Sequence, residues 1–480
     1  MIDVRLSYNT VTSDTFDEFD WNNQTNLDLH KYLHDISSEQ LALCGNSLKN
    51  LKFSSLTKVS NLISFLQHCP YIEHLTFDDA IIDEYWPFNW NPLLRSSNVL
   101  RHDQLATLII ICPWGITKNE YWLLDFFTRA VDLPGLTSLS FYSYTTIGGL
   151  GGPVPAIGPR NLQVSPFKEN TEVVEKFCTL NTDSIVADFL SKFRPTLKRL
   201  WVGRPGFELP NNARVGEGLL QLKLSFLSVS LGSSGIQFLL ETQTELETLN
   251  LVSNLSLVRG PFLSVEEISE NLNHFYACII RNSRTLKEVK LVPTIIAHSS
   301  RDELLRQHKV LDLLTVDCQI FEQCSQLQYL CLSLRGYQDD MDMWMDLPPI
   351  LQGTKIRNLH KIPTESLVEL YLPVEEYSRD EFEQFAAKFG SFVNLKKLYF
   401  GTSQLNDLNS FLVRIPWMQV LLNLPKIEKI VFHNGVLQDA DIVRRLVVNS
   451  RHDGLNVTMS YNAPRYTFEF HRQAPHAEHS

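Results

Sequence analysis

The side chains best suited to chemistry are scattered along this chain. Of eight cysteines, Cys318, Cys324 and Cys331 lie six and seven residues apart, and Cys44, Cys69, Cys112, Cys178 and Cys278 stand alone. A zinc site needs thiolate and imidazole ligands converging in fours, usually as closely spaced pairs. No Cys-x-x-Cys occurs, and Cys69, Cys278 and Cys324 adjoin apolar runs, so they read as small core hydrophobes. His471, His476 and His479 fall in a polar end that reads as a frayed tail. Asp339, Asp340, Asp342 and Asp346 sit among Met341, Met343 and Trp344. Calcium would require a twelve-residue ligand loop with a central Gly, which is missing, so this segment reads as a solvated loop. The run GGLGGPVPAIGP at Gly148–Pro159 lacks the Gly-x-x-x-x-Gly-Lys-Ser/Thr and Gly-x-Gly-x-x-Gly spacings that cradle phosphates, and reads as an insertion. Paired acids such as Glu266/Glu267 and Glu375/Glu376 fall on polar faces, and no nucleophile elbow or His-Glu-x-x-His is found. The expectation is a protein without catalytic residues, cofactor or metal.

The elements that would position any site follow from one recurring pattern: an aliphatic residue, two variable residues, an aliphatic, one variable residue, then an aliphatic or Phe. It occurs at Leu48–Phe53, Ile72–Phe77, Leu105–Ile110, Leu136–Phe141, Leu197–Val202 and Leu219–Leu224. It continues at Leu246–Leu251, Leu286–Leu291, Leu327–Leu332, Leu367–Leu372, Leu395–Phe400 and Ile427–Phe432. The last three positions of each copy alternate apolar, variable, apolar, as in a short strand with one buried face. Between copies, Asn61–Cys69, Asp183–Phe193, Val265–Ile280 and Glu381–Phe389 carry apolar residues at helical spacing. Strand, turn, helix and return to a parallel strand is a unit that can bury its apolar face only against its neighbours.

This pattern resembles the leucine-rich-repeat superfamily, in the irregular, helix-containing form of fungal F-box/leucine-rich-repeat proteins. The resemblance implies an α/β fold: a right-handed solenoid with short parallel strands on a concave face, helices on the convex face, and irregular repeats. The regular family places Asn or Cys at the ninth repeat position, where it bonds the turn backbone of adjacent repeats. Here that position is Asn254 in one copy but Leu56, Ala80, Tyr144 or Arg335 in others, so an uneven body is expected.

Residues 1–47 are expected to cap the solenoid, 48–460 to form it, with insertions near 142–170 and 336–360, and 461–480 to be a polar tail. The variable residue inside each strand should line up in columns on the concave face. The candidate partner-binding residues are Tyr142, Trp201, Lys223, Asn250, Lys290, Tyr329, Tyr371 and Tyr399, because exposed aromatics and cations on a rigid sheet supply binding hot spots.

Composition restricts the partner. With 43 Lys+Arg against 54 Asp+Glu, the formal net charge is −11, which disfavours nucleic acid. The longest apolar stretch, near Leu105–Ile111, is far below the roughly 18–20 residues that cross a bilayer, and the N-terminal MIDVRLSYNT lacks a secretory pattern. The expectation is a cytoplasmic or nuclear protein, monomeric on its own. It would be a non-catalytic scaffold that binds protein on its concave face. By resemblance it would serve as a substrate-recognition subunit of a ubiquitin ligase, docking the ligase adaptor if an F-box lies upstream. The alternative is a repeat protein that regulates a GTPase or binds RNA, unconnected to ubiquitination.

Overall fold

The computed structural model describes residues 8–12, 19–30, 36–54, 59–78, 100–111, 118–142, 182–202, 222–231, 236–256, 264–297, 315–332, 335–338, 356–373, 379–401, 424, 426–435, 455–462 and 465–472. The chain is an α/β protein whose strands form long parallel ladders. It divides into two compact units, Met1–Leu224 with Ser233–Thr242, and Ser225–Gly232 with Gln243–Ser480.

In the first unit the strands of the ladder are β1 (Asn9–Val11), β2 (Asn26–His30), β3 (Asn50–Ser54), β4 (His74–Asp78), β5 (Thr107–Ile111), β6 (Ser138–Tyr142) and β7 (Arg199–Val202), and the short segments Leu100–Arg101 and Val131–Asp132 pair with each other apart from it. Each ladder strand pairs in parallel with the next. The helices are α1 (Ser38–Cys44), α2 (Val59–His68), α3 (Lys118–Arg129), α4 (Thr182–Phe193) and α5 (Ile236–Thr242). Helix α1 starts in a capping box, with the Ser37 hydroxyl accepting from Gln40 N and the Gln40 side chain accepting from Ser37 N.

The core lies between the strands' apolar residues and the helices. Leu48, Leu51, Phe53, Ile72, Leu75, Leu105 and Leu108 are fully buried. Phe53 of β3 meets Phe65 of α2 edge-on at 6.4 Å and stacks on Phe77 of β4 at 5.4 Å, and Phe77 meets Phe127 of α3 at 6.2 Å. Alternation therefore sends the third and fifth residues of β3 in opposite senses to the fourth: Phe53 faces the helices and Lys52 the other face.

In the second unit the strands are β8 (Phe226–Val229), β9 (Thr248–Ser256), β10 (Glu288–Ala297), β11 (Tyr329–Leu332), β12 (Arg335–Gln338), β13 (Glu369–Pro373), β14 (Lys397–Gly401) and β15 (Lys429–Gly435). Strands β8, β9, β10, β11, β13, β14 and β15 pair in parallel in that order. Helices α6 (Val265–Arg281) and α7 (Arg379–Ala386) lie between strands, and 3₁₀ turns at Cys318–Phe321, Leu359–Lys361 and Phe389–Ser391 serve elsewhere.

A backbone contact recurs along both ladders among the described residues. The carbonyl of the second pattern residue accepts two amides from the next repeat: Lys49 O from Glu73 N (2.8 Å) and His74 N (3.0 Å), and Lys287 O from Gln328 N (2.8 Å) and Tyr329 N (3.0 Å). Each repeat is thereby seated on its predecessor in the same register.

Three departures from expectation concern the ends and one insertion. The ladder starts before residue 48, because Asn26–His30 already pairs with Asn50–Ser54 and Asn9–Val11 with Leu27–Leu29. The expected polar tail is ordered strand as far as Arg472: β16 (Leu455–Asn462) and β17 (Arg465–Arg472) form an antiparallel hairpin, with β17 against β15. The reason is the period-two alternation of Tyr466, Phe468 and Phe470. The expected insertion at 336–360 begins as β12, paired with Thr294–Ala297, and ends with Ile356–Arg357 paired to Val316–Asp317. The Asp339–Asp346 cluster, Gly148–Pro159, His476 and His479 lie outside the described residues.

Candidate functional site

Parallel register turns the variable strand residues into rows. In the first unit one row runs Thr10, Asp28, Lys52, Thr76, Ile109, Ser140, Trp201. In the second it runs Ser228, Asn250, Lys290, Cys331, Tyr371, Tyr399, Val431. A side row holds Glu288, Tyr329, Glu369, Lys397 and Lys429, two residues earlier and so on the same face.

The second unit brings four expected residues together. The Tyr371 and Tyr399 rings stack at 5.9 Å with 18° between their planes. The Lys290 ammonium sits 4.8 Å from the centre of the Tyr329 ring and is ion-paired to Glu288. Lys397 Nζ meets Glu369 Oε1 at 2.6 Å, and that hydrogen bond raises the Lys397 pKa. Burial pushes the Tyr329 hydroxyl far up, with Cys331, Glu288 and Glu369 adding to it, so it stays a neutral donor. The result is a half-buried aromatic strip whose flanking cations are matched by carboxylates.

The remaining candidates separate from it. Trp201 is half-buried at the end of the row in the first unit. Asn250 keeps its place in the second row but is only 2% exposed, which corrects its assignment as a surface contact. Lys223 is exposed but precedes β8, and Ser228 holds the row position in its place. The strand is set by Leu224, Leu227 and Val229, all buried, and by Ser225 O, which accepts from Glu247 N and Thr248 N. Tyr142 ends β6, and its side chain lies outside the described residues.

The first unit holds a cluster that the sequence reading missed. Lys52 Nζ lies 2.5 Å from Asp78 Oδ2 and 3.9 Å from Asp28 Oδ2. Tyr8 reaches the same face, hydrogen-bonded to the Thr76 side chain. Burial pushes the Asp28 carboxyl above the usual carboxylate range and Asp78 adds to this, against the opposing pull of Ser54, Lys52 and His30. The signal was present: Asn26-Leu-Asp-Leu-His30 has the alternation of a strand, but Gln24 stands where the pattern requires an aliphatic residue.

Burial suppresses the thiolate form at Cys278, Cys318 and Cys324. Cys44, Cys69, Cys278, Cys318, Cys324 and Cys331 are free and buried. Burial lifts the Cys324 thiol to about 11 and the Cys278 thiol to about 12, leaving both protonated at neutral pH. Among the described residues no group of three or more His, Cys, Asp or Glu could hold a metal ion, and no helix is long and apolar enough to cross a membrane.

Fold and face together define an α/β protein built on repeated parallel strands, with polar and aromatic rows on one sheet face. No protein-family model and no curated protein matches the chain.

Proposed function

We propose that this chain is a leucine-rich-repeat protein, a right-handed solenoid that acts as a non-catalytic scaffold and binds another protein through the strand face. The observation that carries this reading is the strip of Tyr329, Tyr371 and Tyr399 with Lys290, in register on one face of the second unit. Tyrosines present large, stiff, amphipathic contact area at low entropic cost, and a sheet holds them in place before the partner arrives. The strip's lysines are matched by Glu288 and Glu369, which suits a protein surface better than a phosphate backbone. By resemblance, the bound protein would be a substrate for ubiquitin-dependent degradation.

The test compares captured proteins on immobilised wild type and on a Tyr371→Ala/Tyr399→Ala variant whose thermal unfolding matches wild type. A specific set of proteins reduced at least ~10-fold on the variant supports the strip as the binding face. An identical set on both moves the site elsewhere. Recovery of a ligase adaptor and cullin by the full-length protein supports the ligase role, and their absence removes it while leaving the scaffold.

A further inference from the structure

We propose that the Asp28–Lys52–Asp78 cluster on the first unit is a receptor for the guanidinium of an arginine presented by a partner protein. The cluster has two carboxylates around a single ammonium, so it carries one excess negative charge. Both carboxylates turn Oδ2 toward Lys52, and neither Oδ1 accepts a hydrogen bond, although both Oδ1 atoms are buried. Asp28 is only 9% exposed, so its unmatched oxygen is not served by bulk water. Buried carboxylate oxygens without donors are unfavourable, and a site that keeps two of them on one face is suited to a ligand that brings donors and positive charge.

The geometry selects the kind of cation. Asp28 lies on β2 in the row of Lys52 and Thr76, and Asp78 lies on β4 two residues beyond that row, so the two carboxylates flank Lys52 of β3 on a diagonal. Lys52 already occupies the centre as a compact point charge. A second ammonium would meet it head-on, whereas a guanidinium spreads its charge and directs five N–H groups along a plane, reaching both carboxylates from outside. A metal ion would need a third acidic, imidazole or thiolate ligand, and no such group is found among the described residues. The Tyr8 hydroxyl, hydrogen-bonded to the Thr76 side chain, stands near Lys52 and Asp28 at the edge of this cluster.

The test uses capped pentapeptides Gly-Gly-Arg-Gly-Gly, Gly-Gly-Lys-Gly-Gly and Gly-Gly-citrulline-Gly-Gly, titrated by calorimetry into the full chain at low salt. The arginine peptide is expected to bind with Kd of about 1 mM or tighter, and the uncharged citrulline isostere at least ~10-fold more weakly. Asp28→Asn and Asp78→Asn should each weaken the arginine peptide at least ~5-fold, whereas Lys52→Met, which removes the resident cation, should tighten it. Equal binding of arginine and citrulline peptides, no binding of either, or unchanged affinity in both Asn variants overturns the proposal. Stronger binding of the lysine peptide overturns the guanidinium assignment. Should Lys52→Met fail to fold, the two Asn variants decide. The tyrosines of the second unit are untouched throughout, so this outcome is independent of the aromatic strip.

Discussion

At the scale of single residues, two buried groups show how the fold spends polar atoms. His102 is 2% exposed, and its Nε2 lies 3.0 Å from Cys69 O, so the neutral ring carries its proton there and donates it. Burial lowers the His102 pKa, the largest influence on it. Its folded value is therefore below the unfolded value of about 6.5, and between the two the unfolded chain binds more protons. Stability from this group is complete above about pH 6.5 and is lost as pH falls below it. Urea midpoints measured from neutral to mildly acidic pH should decline for wild type, and a His102→Gln variant should show a flatter profile. Gly45 is the second case: a Cβ there would stand 2.7 Å from His68 O and 2.8 Å from Leu41 O. Gly45→Ala should lower stability by about 1–3 kcal/mol, read as a falling midpoint in chemical denaturation.

Among elements, two side chains close helix ends that the pattern of apolar residues leaves open. Lys192 of α4 reaches the C-terminus of α3, donating to the carbonyls of Phe127 (3.2 Å), Thr128 (2.8 Å) and Val131 (2.5 Å). Cations are favoured there because the last carbonyls have no helical partners and carry the negative end of the dipole. Lys192→Met keeps the stem but removes the charge, and should lower stability by about 1–3 kcal/mol. A variant with an unchanged thermal midpoint would remove this role. Asn282, 1% exposed after α6, accepts from Leu246 N and donates to Gln243 O and Cys278 O, all at 2.9 Å. It joins one repeat to the next on the helix side, where the strand ladder does not reach. The helices themselves were legible: the apolar spacing at 61–69, 183–193, 265–280 and 381–389 corresponds to Val59–His68, Thr182–Phe193, Val265–Arg281 and Arg379–Ala386.

For the whole molecule, the end of the second unit decides how the parallel ladder stops. Strand β15 is paired on its outer side by β17, which runs antiparallel and pairs with β16. Removing residues 455–480 would leave the β15 amides and carbonyls that face away from β14 without the partners β17 supplies, and an open strand edge invites pairing between chains. The shortened protein should show concentration-dependent association by light scattering, where full-length protein at equal concentration does not. A monodisperse truncated chain would show that the hairpin does not guard the edge.

What the sequence determined by itself is the repeat and its inward-facing residues. Leu48, Leu51, Leu246, Leu249, Leu395 and Leu398 recur at strand spacing because a short strand between helices must bury every second side chain, and all six are fully buried. The row through Lys290, Cys331, Tyr371 and Tyr399 was legible for the same reason. Tertiary structure decided what the pattern leaves degenerate. Residues 219–224 and 224–229 both fit the apolar spacing, and only the bonding of Ser225 O to the next repeat selects the second, taking Lys223 off the strand. Gln24 breaks the pattern, yet Thr25 O accepts from Lys49 N and Asn50 N as in other repeats, so β2 joins the ladder and brings Asp28 beside Lys52. Hydrogen bonds to a neighbouring strand depend on backbone position and not on side-chain type, which is why a local pattern finds the ladder but not its register or its ends.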